Sequence, residues 1–205
     1  MRIITGKYKG GVIKMPKGIR PTQNKVRKAI FDILGDIEGL SFLELFAGSG
    51  AVGFEAISRG AREIIFVEKE KRYQEDIKKN LSVLKFLNSQ VLELDALEAI
   101  KRLSHQGRKF DIVFLDPPYY QGLLTRPHDK LNKRGSGLAA ISINDSLAKK
   151  TLQILKAYDI LAPYGFIIVQ HFKKDCLPES LGVLNLLKQS RYGDTVLSFY
   201  KRCAK

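Results

Sequence analysis

The sequence predicts an α/β protein, with a parallel sheet carrying helices on both faces. Three observations lead to this. From Ser41 onward, short apolar runs alternate with segments of helical period, the pattern of successive strand and helix units. The first run passes into a glycine turn, Gly48-Ser49-Gly50, that opens a helix. A later run, 110–115, is stopped by Asp116-Pro117-Pro118-Tyr119, which places polar groups at the carboxyl end of a strand, where open α/β sheets bind ligands.

The elements follow in order. Residues 1–22 read as a basic hairpin arm: residues 1–28 hold nine Lys/Arg and no acid, interleaved with Tyr8 and turn-forming glycines. Such an arm can follow a phosphate backbone, although a solvated basic surface has the same composition. A helix is expected over 23–34, with Thr22 as N-cap and Val26, Ala29, Ile30, Ile33 and Leu34 on its apolar face. Lys25, Arg27 and Lys28 in its first turns oppose the helix dipole, a cost that a bound anion would offset. Strands are then expected at 41–46, 63–67, 90–94, 110–115 and 165–170. The helices between them fall at 51–59, 70–87, 96–104 and 146–161. The last segments, 182–189 and 195–200, read as paired strands around Tyr192-Gly193-Asp194.

The chain's 205 residues and 44% hydrophobic content suit one domain with a sizeable core, spanning 1–205. No apolar run approaches the roughly 18 residues of a membrane span, and the N-terminus lacks a signal-peptide apolar segment, so a cytoplasmic location without a membrane partner is expected. Cys176 and Cys203 form no metal-ligand motif, and His105, His128 and His171 are scattered. No metal is expected. A net charge of +14 with pI near 9.8 points to a polyanionic partner.

Gly48, Gly50 and Gly53 satisfy the G-x-G-x-x-G spacing, and Glu68, ending the next strand, is placed to accept ribose hydroxyls. Alone, these would also describe a nicotinamide site. Glu44, inside the first strand and four residues before Gly48, argues against it, because a carboxylate there repels a pyrophosphate. It suits S-adenosylmethionine, which carries an ammonium, a cationic sulfonium and a ribose but no phosphate. Asp95 follows another strand and reads equally as a helix N-cap. Asp116, the free Pro117 carbonyl and the Tyr119 ring form a stiff turn suited to an exocyclic amine on a flat base, although a capping Asp and a packing Tyr are the simpler alternative.

With these motifs the chain resembles the class I S-adenosylmethionine-dependent methyltransferases, specifically the family that methylates guanine N2 in 16S ribosomal RNA. The resemblance rests on Arg2-Ile3-Ile4-Thr5-Gly6 with Gly10-Gly11, Arg20-Pro21-Thr22, Leu45-Phe46-Ala47-Gly48-Ser49-Gly50, Phe66-Val67-Glu68, Asp95-Ala96, Leu115-Asp116-Pro117-Pro118-Tyr119 and Tyr192-Gly193-Asp194-Thr195. It implies a Rossmann-like seven-stranded methyltransferase sheet whose last hairpin is reversed, preceded by the basic β-hairpin and helix. It also implies cofactor contacts at Glu44, Phe46, Gly48, Ser49, Gly50 and Glu68, with Asp95 and Ala96 on the adenine edge. Asp116, Pro117 and Tyr119 would be catalytic. RNA contacts would come from Arg2, Lys7, Lys9, Lys14, Arg20, Thr22 and Arg27. The expected partner is 16S rRNA within a partly or fully assembled small ribosomal subunit, met by a monomer.

The chain departs from the family pattern in four places. Glu44 stands where Asp is usual, Lys28 where Glu is expected, Gln170 where Glu often precedes the His, and 121–145 reads as an inserted basic loop. Two other functions fit the residues: adenine-N6 methylation of RNA or DNA, and RNA binding without catalysis.

Overall fold

The computed structural model describes residues 1–16, 18, 22–119 and 145–202; Arg20, Cys203 and the expected insertion, apart from Asp145, lie outside the described residues. The chain runs α1 (Asn24–Leu34), β1 (Ser41–Leu45), α2 (Ala51–Ser58), β2 (Glu63–Val67), α3 (Lys71–Leu84), β3 (Ser89–Leu92), α4 (Ala96–His105) and β4 (Phe110–Leu115). It continues through α5 (Leu147–Ala157), β5 (Leu161–Phe172), β6 (Ser180–Leu181), β7 (Leu184–Tyr192) and β8 (Thr195–Arg202). The strands form one sheet in the order β3-β2-β1-β4-β5-β8-β7-β6. The first five are parallel, and β8, β7 and β6 add antiparallel. The sheet thus has eight strands where seven are expected. Gly182, at φ +68, turns the chain so that Ser180 and Leu181 pair back onto Asn185 and Leu184 as a two-residue edge.

Every residue of β1 is buried, which explains a strand that is apolar without alternation. One sheet face packs Phe42, Ile64, Phe66 and Phe114 against α1, α2 and α3, through Ile30, Phe31, Val52, Phe54 and Ile77. The other packs Leu43, Ile65, Val113 and Ile167 against α4 and α5, through Ile100, Leu103, Leu152 and Leu155. β5 is longer than expected and α5 shorter, because the chain pairs with β4 already at Leu161 and passes through Tyr164 at φ +63 before regaining register at Phe166. Among the described residues no helix is long and apolar enough to cross a membrane.

The basic arm folds back on itself and is docked. Its two limbs exchange backbone bonds, Ile3 N–H to Gly11 O at 3.0 Å and Ile13 N–H to Met1 O at 2.8 Å, with one ladder bridge between Arg2 and Val12. Ile3 and Ile13 enter the core. The buried Glu55 of α2 accepts from the backbone N–H groups of Ile4 and Thr5, both at 2.9 Å. Ser58 accepts from Lys7 N–H through its carbonyl at 2.7 Å and from Tyr8 N–H through its hydroxyl at 2.9 Å. Asn80 of α3 brackets Lys14 with one bond to its N–H and one to its carbonyl.

Two expectations for α1 are corrected here. Thr22 is not its N-cap: that position is Gln23, which makes no side-chain cap bond. Arg27, expected on RNA, is fully buried, with Nε 3.5 Å from Glu55 Oε2 and Nη2 donating to the Arg2 carbonyl at 2.7 Å. Its charge is spent inside the fold. Lys28 likewise pairs with Asp32 at 3.0 Å, so neither cation awaits an anion.

Glu55→Ala would release the arm's two backbone donors and leave Arg27 buried beside no carboxylate. We expect unfolding free energy to fall by about 3–5 kcal/mol, the cost of breaking a buried ion pair, measured by denaturant titration. Amide exchange at Ile4 and Thr5 should accelerate. A loss under about 1 kcal/mol would show that the clamp is dispensable.

Candidate active site

The sheet order brings the distant motifs together. β1 pairs with β2 on one side and β4 on the other, Leu45 lying beside both Val67 and Leu115, so the glycine turn, Glu68 and Asp116 leave adjacent strand ends. β3, outside β2, delivers Asp95. The order in which strands are added reverses between the parallel β1 and β4, the topological switch point where α/β sheets open a crevice. The crevice is a cavity of about 640 Å³ walled by Glu44, Gly48, Glu68, Asp95, Asp116 and Tyr119, among others.

The glycine turn starts with strain. Phe46 leaves β1 at φ +58, a left-handed conformation that aromatic residues rarely adopt, and Gly48 and Gly50 follow at +53 and +70. Gly48 N–H donates to Glu68 Oε2 at 2.7 Å, while Glu70 N–H donates to Oε1 at 2.9 Å. Both carboxylate oxygens are thereby fixed in direction, each with a lone pair to spare. Gly53, the third glycine, sits inside α2, where a Cβ would meet Phe66, Glu44 and Ile64 at 2.4–2.5 Å. Its bare backbone lets Glu44 Oε2 accept from Gly53 N–H at 2.8 Å. Glu44 therefore caps α2 from the neighbouring strand while also walling the cavity. Burial raises the Glu44 carboxyl to about 8, against the opposing backbone hydrogen bonds and with added repulsion from Asp116 and Glu68.

Asp95 is the N-cap of α4, accepting from Leu97 N–H at 2.9 Å, and Ala96 beside it is buried. Asp116 is raised to about 7 by burial, opposed by a hydrogen bond from Gln170 Nε2 to its Oδ2 at 2.8 Å. Gln170 also lies 3.4 Å from the Tyr119 hydroxyl, which shares a 3.1 Å hydrogen bond with Thr195 Oγ1. Burial, then Asp116, pushes the Tyr119 hydroxyl's pKa up. Pro117 is buried and Pro118 exposed, and Ser49, also buried, lines the cavity beside Gly48.

The cavity's charge opposes that of the chain. Glu44, Glu68, Glu70, Asp95 and Asp116 line it, with Lys69 as the one cation among the described lining residues. Arg2, Lys7, Lys9 and Lys14 project from the exposed side of the arm, and Thr22 reaches the cavity wall. His171 has a structural place, with Nε2 2.8 Å from Ser198 Oγ inside the sheet.

Gln170 and Thr195 are the residues that sequence reasoning did not assign to the site. A polar side chain following the apolar 166–169 stretch was the available signal for Gln170, and Thr195 stood in the Tyr192-Gly193-Asp194-Thr195 motif with no role attached to it. If Gln170 holds Asp116 ionised, Gln170→Leu and Gln170→Glu should both raise the Asp116 midpoint above about 7, the first by removing a donor and the second by adding a like charge. A carboxyl carbon NMR titration would read it. An unmoved midpoint in both variants would remove Gln170 from the site.

The family model described as Conserved hypothetical protein 95 matches residues 1–137. "Putative rRNA methyltransferase YlbH" of Bacillus subtilis (strain 168) is 33% identical over 206 residues, covering 98% of this chain and 99% of that protein. "Ribosomal RNA small subunit methyltransferase D" of Escherichia coli (strain K12) is 36% identical over 138 residues, covering 66% of this chain and 68% of its own. A solved structure, "Putative methyltransferase yhhF from Escherichia coli", superposes with a TM-score of 0.78 at 29% identity, covering 100% of this chain and 99% of that one. With the family model spanning more than half its length and a relative matching it nearly end to end, the chain belongs to the ribosomal RNA small subunit methyltransferase D family, described as Conserved hypothetical protein 95.

Proposed function

We propose that the protein methylates the exocyclic N2 amine of a guanine in 16S rRNA, with S-adenosylmethionine as methyl donor. The observation that carries the reading is an acid-lined cavity, ending at Asp116 and Tyr119, inside a chain of net charge +14. The acidic lining attracts a cationic ligand and repels polyphosphates. The basic exterior suits RNA. When bound, S-adenosylmethionine supplies a methyl group on a positively charged sulfur. Glu68, already oriented by two backbone donors, accepts the ribose hydroxyls; Asp95 and Ala96 meet the adenine edge, and Phe46 and Ser49 complete the turn around the cofactor.

At the other end Asp116 and the Pro117 carbonyl accept hydrogen bonds from the guanine amine, which draws the nitrogen lone pair out of the ring and toward the methyl group. Gln170 occupies Asp116 Oδ2, which leaves Oδ1 for the substrate. Tyr119 stacks on the base. Once methylated, the amine would carry a positive charge and would lose a proton to Asp116 or to water. Arg2, Lys7, Lys9 and Lys14 meet phosphates, with sequence presented by the assembled small subunit instead of being read by this single domain.

Two measurements test the reading. Asp116→Ala should slow single-turnover methyl transfer to unmethylated small subunits by roughly 10²–10⁴ with little change in cofactor affinity. Nucleoside digestion and mass spectrometry should find the label in N2-methylguanosine. Label in N6-methyladenosine would promote the adenine reading, and none would leave RNA binding without catalysis.

Cofactor binding should also release protons. Burial holds the Glu44 carboxyl near 8, and a cationic cofactor beside it would favour the ionised form, so the bound state holds fewer protons. Affinity should therefore rise from about pH 6 toward about pH 7.5, below the range in which the cofactor's own α-amino group loses its proton. Calorimetry in buffers of different ionisation enthalpy measures the release; affinity falling over that range would contradict it.

A further inference from the structure

A second cavity, of about 530 Å³, lies on the far side of Tyr119 and belongs to no step described above. Its walls include Phe172 at the end of β5, Tyr192 and Thr195 at the β7–β8 turn, and Lys25 at the start of α1. Tyr119 lines both cavities. Its ring centroid is 6.0 Å from that of Phe172, inclined at 35°, and Lys25 Nζ stands 5.9 Å from the Tyr192 ring centre. The Tyr192-Gly193-Asp194-Thr195 turn, singled out in the sequence, is thus brought to the mouth of the site with an aromatic ring on it.

The two cavities have opposite chemistry. The first is lined by five carboxylates and can hold a cation. Among the described residues lining the second, Asp194 is the one acid, and it is ion-paired with Lys173 at 2.7 Å, while exposed Lys25 stands beside the aromatic rings. Half-buried aromatic faces with a cation at the rim take a flat base and its phosphate. Asp116 and Pro117 are not among the described residues lining this cavity, so the acceptor pair proposed to hold the reacting amine belongs to the first.

Resting on the reading of the first cavity as the methyl-transfer site, we infer that the second cavity binds the RNA nucleotide next to the target guanine. Its base stacks on Tyr192, and its phosphate meets Lys25. Tyr119, between the cavities, separates the flipped base from its neighbour, so one sugar-phosphate step carries the strand from one to the other. A neighbour held in this way keeps the target from swinging back into the RNA stack, which places the subsite's contribution in substrate binding.

The test uses Tyr192→Ala, Tyr192→Phe and Lys25→Gln in the full chain, with unmethylated small ribosomal subunits as substrate. We expect Tyr192→Ala to raise KM by roughly 5- to 100-fold, the range for one lost stacked base, with Tyr192→Phe near the parent protein. Lys25→Gln should flatten the dependence of log affinity on log salt by about 0.7–0.9, one phosphate contact. Cofactor affinity and single-turnover rate at saturating subunits should stay within about threefold, against the tenfold per 1.4 kcal/mol of a lost contact. Unchanged KM in Tyr192→Ala with an unchanged salt slope in Lys25→Gln would overturn the subsite. So would a Tyr192→Ala variant that loses turnover and keeps KM, since the ring would then act on the target base itself. Parent protein that methylates no subunit at all would instead overturn the function proposed for the first cavity.

Discussion

Glu55 holds the architecture to its purpose. It is buried in α2, the helix opened by the glycine turn, and its two oxygens meet the arm's backbone and the guanidinia of Arg27 and Arg59. Three parts of the chain that share no local sequence signal are thereby placed relative to one another: the basic arm, the first helix and the glycine turn. Because α2 starts at Ala51, directly after the Gly48-Ser49-Gly50 turn, a shift of the arm is a shift of the helix that follows that turn. The Arg27 side chain, reaching the Arg2 carbonyl, completes the closure from the opposite side.

The second organising feature is a separation of charge. Thirty-five cations face twenty-one acids in the chain, yet five of those acids converge on one cavity at the carboxyl edge of the sheet. The sheet produces this convergence, because parallel strands end on one side and the residues that follow them meet there. An anionic polymer and a cationic small molecule can then approach the same protein without competing for the same surface.

Much of this was legible in the sequence, and what was not has a physical cause. β1, β2 and β4 are buried on both faces, so their boundaries are written as unbroken apolar runs, and Glu68, Asp95 and Asp116 are recognisable as the polar residues after them. Arg27 was misplaced because sequence shows charge but not burial, and its partner lies 28 positions away in a helix on the sheet's face. Gln170 and Thr195 went unassigned because their meeting with Asp116 and Tyr119 depends on the β4–β5 and β5–β8 pairings, which no local period encodes. The extent of β5 was hidden by Pro163 and Tyr164, which fall between the expected helix 146–161 and strand 165–170 and are instead an irregularity within a continuing strand.

The two-residue β6 has a consequence for how the molecule keeps to itself. A long strand with its outer amides bare is a template for adding another chain. Here the sheet tapers: it ends in four residues at β3 on one side and two at β6 on the other. Where β7 runs beyond that cover, Lys188 and Arg191 stand along it, and like charges there repel a second copy of the same edge. Both margins of the sheet are thus poor nuclei for self-assembly, which leaves growth of the fold closed and its basic surface available to other molecules.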